Sequence, residues 1–169
     1  MDSCLEKLKQ ALESAVEGMS SERLTWHPAG KWCAAEVLEH LYLTYTGTVK
    51  GFERALEKGE PLATRGSMTQ RWRRLVVLGF SYLPFGREAP KPTVPRGLPP
   101  DQVRSEIWQK LGAMDEIIAQ SEARFGRGIK LLDHPILGPL TGAQWSKFHL
   151  VHGRHHAQQI RRLRAGQVE

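Results

Sequence analysis

Cysteine is scarce in this chain of 169 residues: only Cys4 and Cys33 are present, and neither belongs to a C-x-x-C pair. That pattern excludes a disulfide framework and a cysteine-built zinc site. Long apolar runs are missing as well. The longest, from Leu75 to Phe80 and on to Phe85, is interrupted by Gly79, Ser81 and Pro84 and is too short to span a bilayer. The first residues, MDSCLEKLKQ, carry acidic and polar groups where a signal peptide would be apolar. The expectation is a soluble, cytoplasmic protein with no membrane partner, where a structural disulfide would be disfavoured anyway. Internal repeats are absent, and no alternation of β-branched residues predicts a sheet.

What the chain has in excess is positive charge, +6 with pI near 9.6. Its arginines are spread out, the densest groups being Arg71, Arg73 and Arg74, then Arg161, Arg162 and Arg164. No nucleic-acid motif accompanies them. They read as solvated helix faces and ends, and no nucleic-acid partner is expected.

Apolar spacing predicts four long helices. The first covers 3–18, opened by a Ser3-x-x-Glu6 capping box and closed by Gly18. The second runs from about Cys33 to Lys58 and ends at Gly59-Glu60-Pro61. The third starts near Pro100-Asp101, where proline suits a first turn, and ends at Gly126. The fourth opens on a Thr141-x-x-Gln144 capping box and reaches about Ala165. Between the second and third lies an irregular stretch, 59–100, with a short helix predicted around 68–78 and five prolines within 87–100. The fold class is therefore all-α, a single four-helix-bundle domain over 1–169 with a long irregular connection between helices 2 and 3.

Seven histidines stand in the chain, three of them within 152–156. At roughly 100° per residue, His152 and His156 are about 40° apart and share a face one turn apart. Trp145, Phe148, Ile160 and Leu163 lie in the same arc, so two histidines occupy a core-facing stripe. Neutral imidazole is a ligand for zinc, nickel, iron and copper, and the i, i+4 spacing lets two rings meet one ion. The plainer alternative is a pair of core histidines bonded to backbone or water. His149 shares the inward face and could compete as a ligand; His155 sits toward the other edge.

A catalytic site usually needs three ligands and an open position. On the second helix His40 lies at the edge of the apolar arc, followed along its strip by Thr44, Gly47 and Gly51. Small residues there would leave room for a ligand, or would serve close helix contact. Glu36, one turn before His40, is a candidate fourth ligand, base or outer-shell partner, or a solvent-facing residue. His27 and His134, beside prolines, read as turn or surface residues.

Taken in order, Lys31-Trp32 leading into Ala35-Glu36-Val37-Leu38-Glu39-His40-Leu41, His134-Pro135 with Gly138-Pro139-Leu140-Thr141, then Trp145 and His149-x-x-His152-x-x-His155-His156-x-x-Gln159 resemble the DinB/YfiT-like superfamily, closest to an uncharacterised branch. The resemblance implies a four-helix bundle with a three-histidine divalent-metal site on His40, His152 and His156, and a homodimer. Relatives include S-transferases that use low-molecular-weight thiols such as bacillithiol, a mycothiol-dependent maleylpyruvate isomerase, and proteins called metal-dependent hydrolases. Two departures stand out. Ala157-Gln158-Gln159 replaces a common Arg-Gly-Gln, and Cys33 sits where Ser or Thr commonly caps.

The function expected is a divalent-metal-dependent enzyme acting on a small molecule, a thiol-dependent S-transferase with a small electrophile as substrate. The alternatives are a metal-dependent hydrolase and a non-catalytic bundle that binds metal or a small ligand. Zinc or nickel is the expected ion, with iron or manganese as further options, and a low-molecular-weight thiol as co-substrate. A bound divalent ion lowers the pKa of a thiol or water. His149, His155 and Glu36 are the candidate bases or orienting groups, and Arg154 a candidate for holding a carboxylate. Segment 59–100 is expected near the pocket mouth, with Trp72, Phe80, Tyr82 and Phe85 packing against the core.

Overall fold

A computed structural model describes residues 1–27, 29–83 and 88–166. Each boundary follows from local chemistry. Helix α1, Ser3–Val16, starts one residue earlier than the Ser3 box implies, because the Asp2 side chain takes the Cys4 N–H. Leu5, Leu8 and Leu12 form its inner stripe and are fully buried. A one-turn helix α2, Ser21–Thr25, capped by Ser20, lies between the first two long helices that the spacing predicts. Helix α3 spans Ala34–Lys58 and ends on Gly59, whose φ of 74° lets its N–H reach back to Ala55 and Leu56.

Between α3 and the next long helix, Ser67 caps helix α4, Met68–Arg74, which continues as a π-helical turn over Leu75–Gly79. A 3₁₀ turn follows at Lys91–Thr93. Helix α5, Pro100–Phe125, begins at a proline, and helix α6, Gly142–Ala165, begins at the Thr141–Gln144 box.

The described residues are largely helical, and they also contain a two-stranded hairpin that the sequence does not predict. Strands β1, Leu132–His134, and β2, Gly138–Leu140, pair antiparallel, with Leu132 opposite Leu140 and His134 opposite Gly138. Three residues are too few to show a period of two, and β2 contains a proline. The hairpin packs on α3: a β-carbon at Gly51 would lie 3.0 Å from Leu132 Cδ1. Gly51 thus receives the hairpin, while Gly47 on the same strip is exposed.

Helix α3 runs along α5, and α1 along α6. Leu41, Tyr45 and Phe52 of α3 and Ile107, Leu111 and Met114 of α5 are fully buried. Each such side chain contributes about 1.5–3 kcal/mol of burial. On the other pair, α1 approaches α6 at Gly153, where a β-carbon would overlap Leu8 Cδ1. That contact fixes one flank of α6, about 60° around the helix from His156 and about 100° from His152.

Candidate metal centre

The N-terminus of α3 is fixed by a reciprocal pair. Cys33 Sγ accepts the Glu36 N–H, and a Glu36 carboxylate oxygen accepts the Cys33 N–H at 2.8 Å. Cysteine here does the work that Ser or Thr does in other capping boxes. One turn further on, His40 enters the core at 4% exposure. His152 and His156 reach it from α6 at 9% and 8%.

The three rings meet through their Nε2 atoms. His152 Nε2 is 3.3 Å from His40 Nε2 and 3.1 Å from His156 Nε2. The protons can be located by elimination. His40 Nδ1 lies 2.8 Å from the Thr93 carbonyl, which can only accept, so Nδ1 carries the hydrogen. His156 Nδ1 lies 3.0 Å from Gln159 Oε1 and donates to it in this orientation of the amide. Both rings therefore aim an Nε2 lone pair inward. His152 Nε2 has at most one proton to share between two neighbours, and its Nδ1 is buried without a partner.

A proton on His152 Nε2 can serve only one of the two inward lone pairs, so at least one pair of nitrogens at this spacing repels unless a cation sits among them. An ion held by tetrahedral nitrogens at roughly 2.0–2.1 Å would separate them by about 3.3–3.4 Å. The separations of 3.3 and 3.1 Å are close to that value. Ligand atoms of His40, His152 and His156 all lie within 4.8 Å of one another, so the group could hold a metal ion.

Burial keeps the rings neutral, the form that binds a metal. Desolvation lowers the His156 pKa to about 3, aided by the nearby His40. It holds His152 well below the usual range, with His156 and His40 adding repulsion. His40 is also lowered by burial, and its bond to Thr93 offsets part of that.

Thr93 is held in place from a distance. Glu39, 2% exposed, accepts the N–H groups of Arg96, Gly97 and Leu98 at 2.6, 3.1 and 3.1 Å. This carboxylate ties the strap over 91–98 to α3, one residue from His40, whose ring the strap orients. The Trp32 ring lies 5.4 Å from His40 on another side, and Phe148 stacks on His152 at 12°. The irregular segment does reach the site, through a backbone carbonyl rather than its aromatics. Trp72, Phe80 and Tyr82 are exposed, not packed into the core. Phe85 lies outside the described residues.

The other sequence candidates fall elsewhere. His149 is fully buried but belongs to a neighbouring layer. Its Nε2 is 3.1 Å from Thr48 Oγ1, and its ring stacks on Trp145. Burial, with His134 adding to it, lowers its pKa to about 3. His134 is no surface residue. Its ring is 4.2 Å from Phe148, its Nδ1 accepts the Ile136 and Leu137 N–H groups, and burial lowers its pKa to about 4.

The Glu36 carboxylate is engaged by the helix cap and lies 3.6 Å from His27 Nδ1. His27, Cys33 and Glu36 form a second close group of donors. Their proximity follows from the cap, and a cation there would face the positive end of α3. His155 and Arg154 border a cavity of about 230 Å³ with Tyr82, Lys147 and Gln158. Arg154 is about 160° around the helix from both His152 and His156, so it cannot serve the space between them.

Thr93, Glu39 and the role of Gln159 escaped the sequence reading. Thr93 is 53 positions from His40 and contributes only backbone, which leaves no mark in the sequence. Glu39 precedes His40 and reads as an ordinary polar helix residue.

A family model described as "Protein of unknown function (DUF1569)" matches residues 4–163. No curated protein and no solved structure matches the chain.

Proposed function

Because the chain belongs to the DUF1569 family, whose description assigns no activity, we propose its function from the site itself: a divalent-metal-dependent enzyme of the DinB/YfiT-like kind, acting by S-transfer from a small thiol to an electrophile. In this reading α1, α3, α5 and α6 are the four helices of the bundle. The observation that carries it is the meeting of three Nε2 atoms at 3.1 and 3.3 Å, two of them with their Nδ1 protons committed to fixed acceptors. Zinc or nickel, when bound, would supply Lewis acidity that makes a thiol or a water nucleophilic near pH 7.

The chain's own residues do the rest. His40, His152 and His156 present neutral donors. The Thr93 carbonyl and Gln159 Oε1 hold two of the rings in the binding tautomer, as outer-shell partners of metal-ligating histidines do. Trp32 and Phe148 cover the rings with apolar surface and exclude water. The near-complete burial of all three histidines favours a second reading, a bundle that holds the ion without turnover.

Metal analysis of protein purified without a polyhistidine tag tests the first step. About one equivalent per chain is expected, with loss in His40→Ala and His152→Ala. Metal-free wild type, or full occupancy in His152→Ala, refutes the ligand set. A screen of small thiols against an electrophilic acceptor then separates the readings. Thiol-dependent turnover that vanishes in His152→Ala supports transfer, ester or amide hydrolysis supports the hydrolase alternative, and tight metal binding without turnover supports the non-catalytic bundle.

A further inference from the structure

The described residues leave one large apolar feature uncovered, and it lies outside the histidine site. Met68, Trp72, Leu75, Val76 and Phe80 are 66%, 65%, 51%, 37% and 75% exposed. Met68, Trp72 and Leu75 lie within about 60° of one another on the wheel, with Val76 beside them. The opposite side of the same segment is anchored: Val77 is buried, Arg74 donates to the Pro139 carbonyl, and Gln70 lies against Gly138. The helix is thus held to the body by one face and offers the other.

Charge surrounds this stripe in a definite pattern. Exposed Arg71 and Arg73 flank it on either side. From Pro61 to Arg87 the sequence has five arginines and no acidic residue. Contiguous exposed apolar surface with a polar rim marks an interaction site. A second copy of this chain, related by a two-fold axis through the stripe, would set arginine against arginine with no carboxylate from this segment to answer it. Nucleic acid would gain from Trp72 but has nothing to stack on Met68, Leu75 or Val76. An anionic lipid surface satisfies both parts: aliphatic and aromatic side chains enter the acyl boundary, and the arginines meet the headgroups.

We propose that α4 and the π-helical turn after it, Met68–Gly79, form a docking face for anionic bilayers, placing the protein on a membrane surface without spanning it. No helix among the described residues is long and apolar enough to cross one. The proposal replaces the expectation of no membrane partner, and it is independent of the metal reading.

Sedimentation with sucrose-loaded vesicles tests it, using phosphatidylcholine alone or with phosphatidylglycerol as a third of the lipid. The wild-type protein is expected to sediment with the anionic vesicles and not with the neutral ones. Arg71→Gln and Arg73→Gln are each expected to weaken partitioning about fivefold. A Trp72→Ser/Leu75→Ser double variant is expected to weaken it roughly tenfold or more, with unchanged thermal melting because both positions are exposed. No binding to anionic vesicles overturns the proposal. So does binding that resists Trp72→Ser/Leu75→Ser and is lost only with the arginines, which would be diffuse charge attraction. A lipid-free dimer abolished by that double variant, without vesicle binding, would assign the face to a second copy and overturn it equally.

Discussion

Replacing Glu39 by glutamine changes one atom in a group that does not touch the three histidines, yet it should weaken metal binding by them. The carboxylate divides its work: Oε1 takes the Arg96 N–H, and Oε2 takes those of Gly97 and Leu98. A glutamine can reproduce only one of these oxygens. Its amide nitrogen would face one or two backbone donors, leaving them buried against another donor. An orphaned buried donor costs about 1–3 kcal/mol, more beside a charged partner lost. The orphaned Arg96 N–H and the amide nitrogen facing it, partly relieved by movement of the strap, give about 2–4 kcal/mol. Glu39→Gln should then be nearly as damaging as Glu39→Ala, although it keeps the shape. Movement of the strap would also withdraw the Thr93 carbonyl from His40 Nδ1, and loss of such a partner typically costs 10–100-fold in metal affinity. Urea denaturation of metal-free protein reads the first effect and competition with a chromophoric chelator reads the second. A Glu39→Gln protein within about 0.5 kcal/mol of wild type, the size of an ordinary surface change, would refute the account of the strap. Lost stability with unchanged affinity would refute its link to His40.

Gln159→Ala should lower metal affinity by 10–100-fold through the same logic on His156, while Gln159→Glu, which keeps an acceptor, should restore it; equal chelator competition by all three proteins would deny Gln159 that role. Gly153→Ala should destabilise by about 1–3 kcal/mol, the range for overpacking, because Leu8 is fully buried and has no free space to yield; an unchanged urea midpoint would contradict the close approach of α1 and α6. The metal-free protein should lose stability in acid. His134, His149 and His156 have folded pKa values lowered to about 4, about 3 and about 3 from 6.5, so the unfolded chain binds more protons below pH 6.5. Their contribution is complete above that pH and drains away toward pH 3–4, at up to roughly 1.4 kcal/mol per pH unit for each ring. Stability measured by urea that stays flat from pH 7 to pH 4.5 would show the rings to be solvated.

The sequence made the long helices and the histidine triad legible for the same reason. A helix converts spacing into direction, so His152 and His156 declare their shared face, and His40 shows itself at the edge of an apolar arc. Capping boxes are equally local, as Thr141 and Gln144 illustrate. What stayed hidden depends on distant partners. The hairpin over 132–140 is too short for periodicity and holds by packing on Gly51, α4 and α6. Glu36 looked chemically available until the cap at Cys33 claimed it. Whether His149 or His152 completes the triad could not be decided from a wheel that places both inward; Thr48, on another helix, takes His149. Trp72 and Phe80 looked like core aromatics, and only tertiary structure reveals that both stay exposed.

The separation of His40 from His152 along the chain, 112 positions, has a consequence in time. Bringing the ends of such a loop together costs about 4 kcal/mol of chain entropy beyond a constant. The His152–His156 pair needs only a turn of α6, which forms within a microsecond. An ion present during folding would therefore meet two ligands early and wait for the third. With α3 docked and the Thr93 carbonyl bonded to His40 Nδ1, the third ring would take its place beside the other two. Metal loading would then follow the order of folding, two ligands from α6 first and the third with the docking of α3.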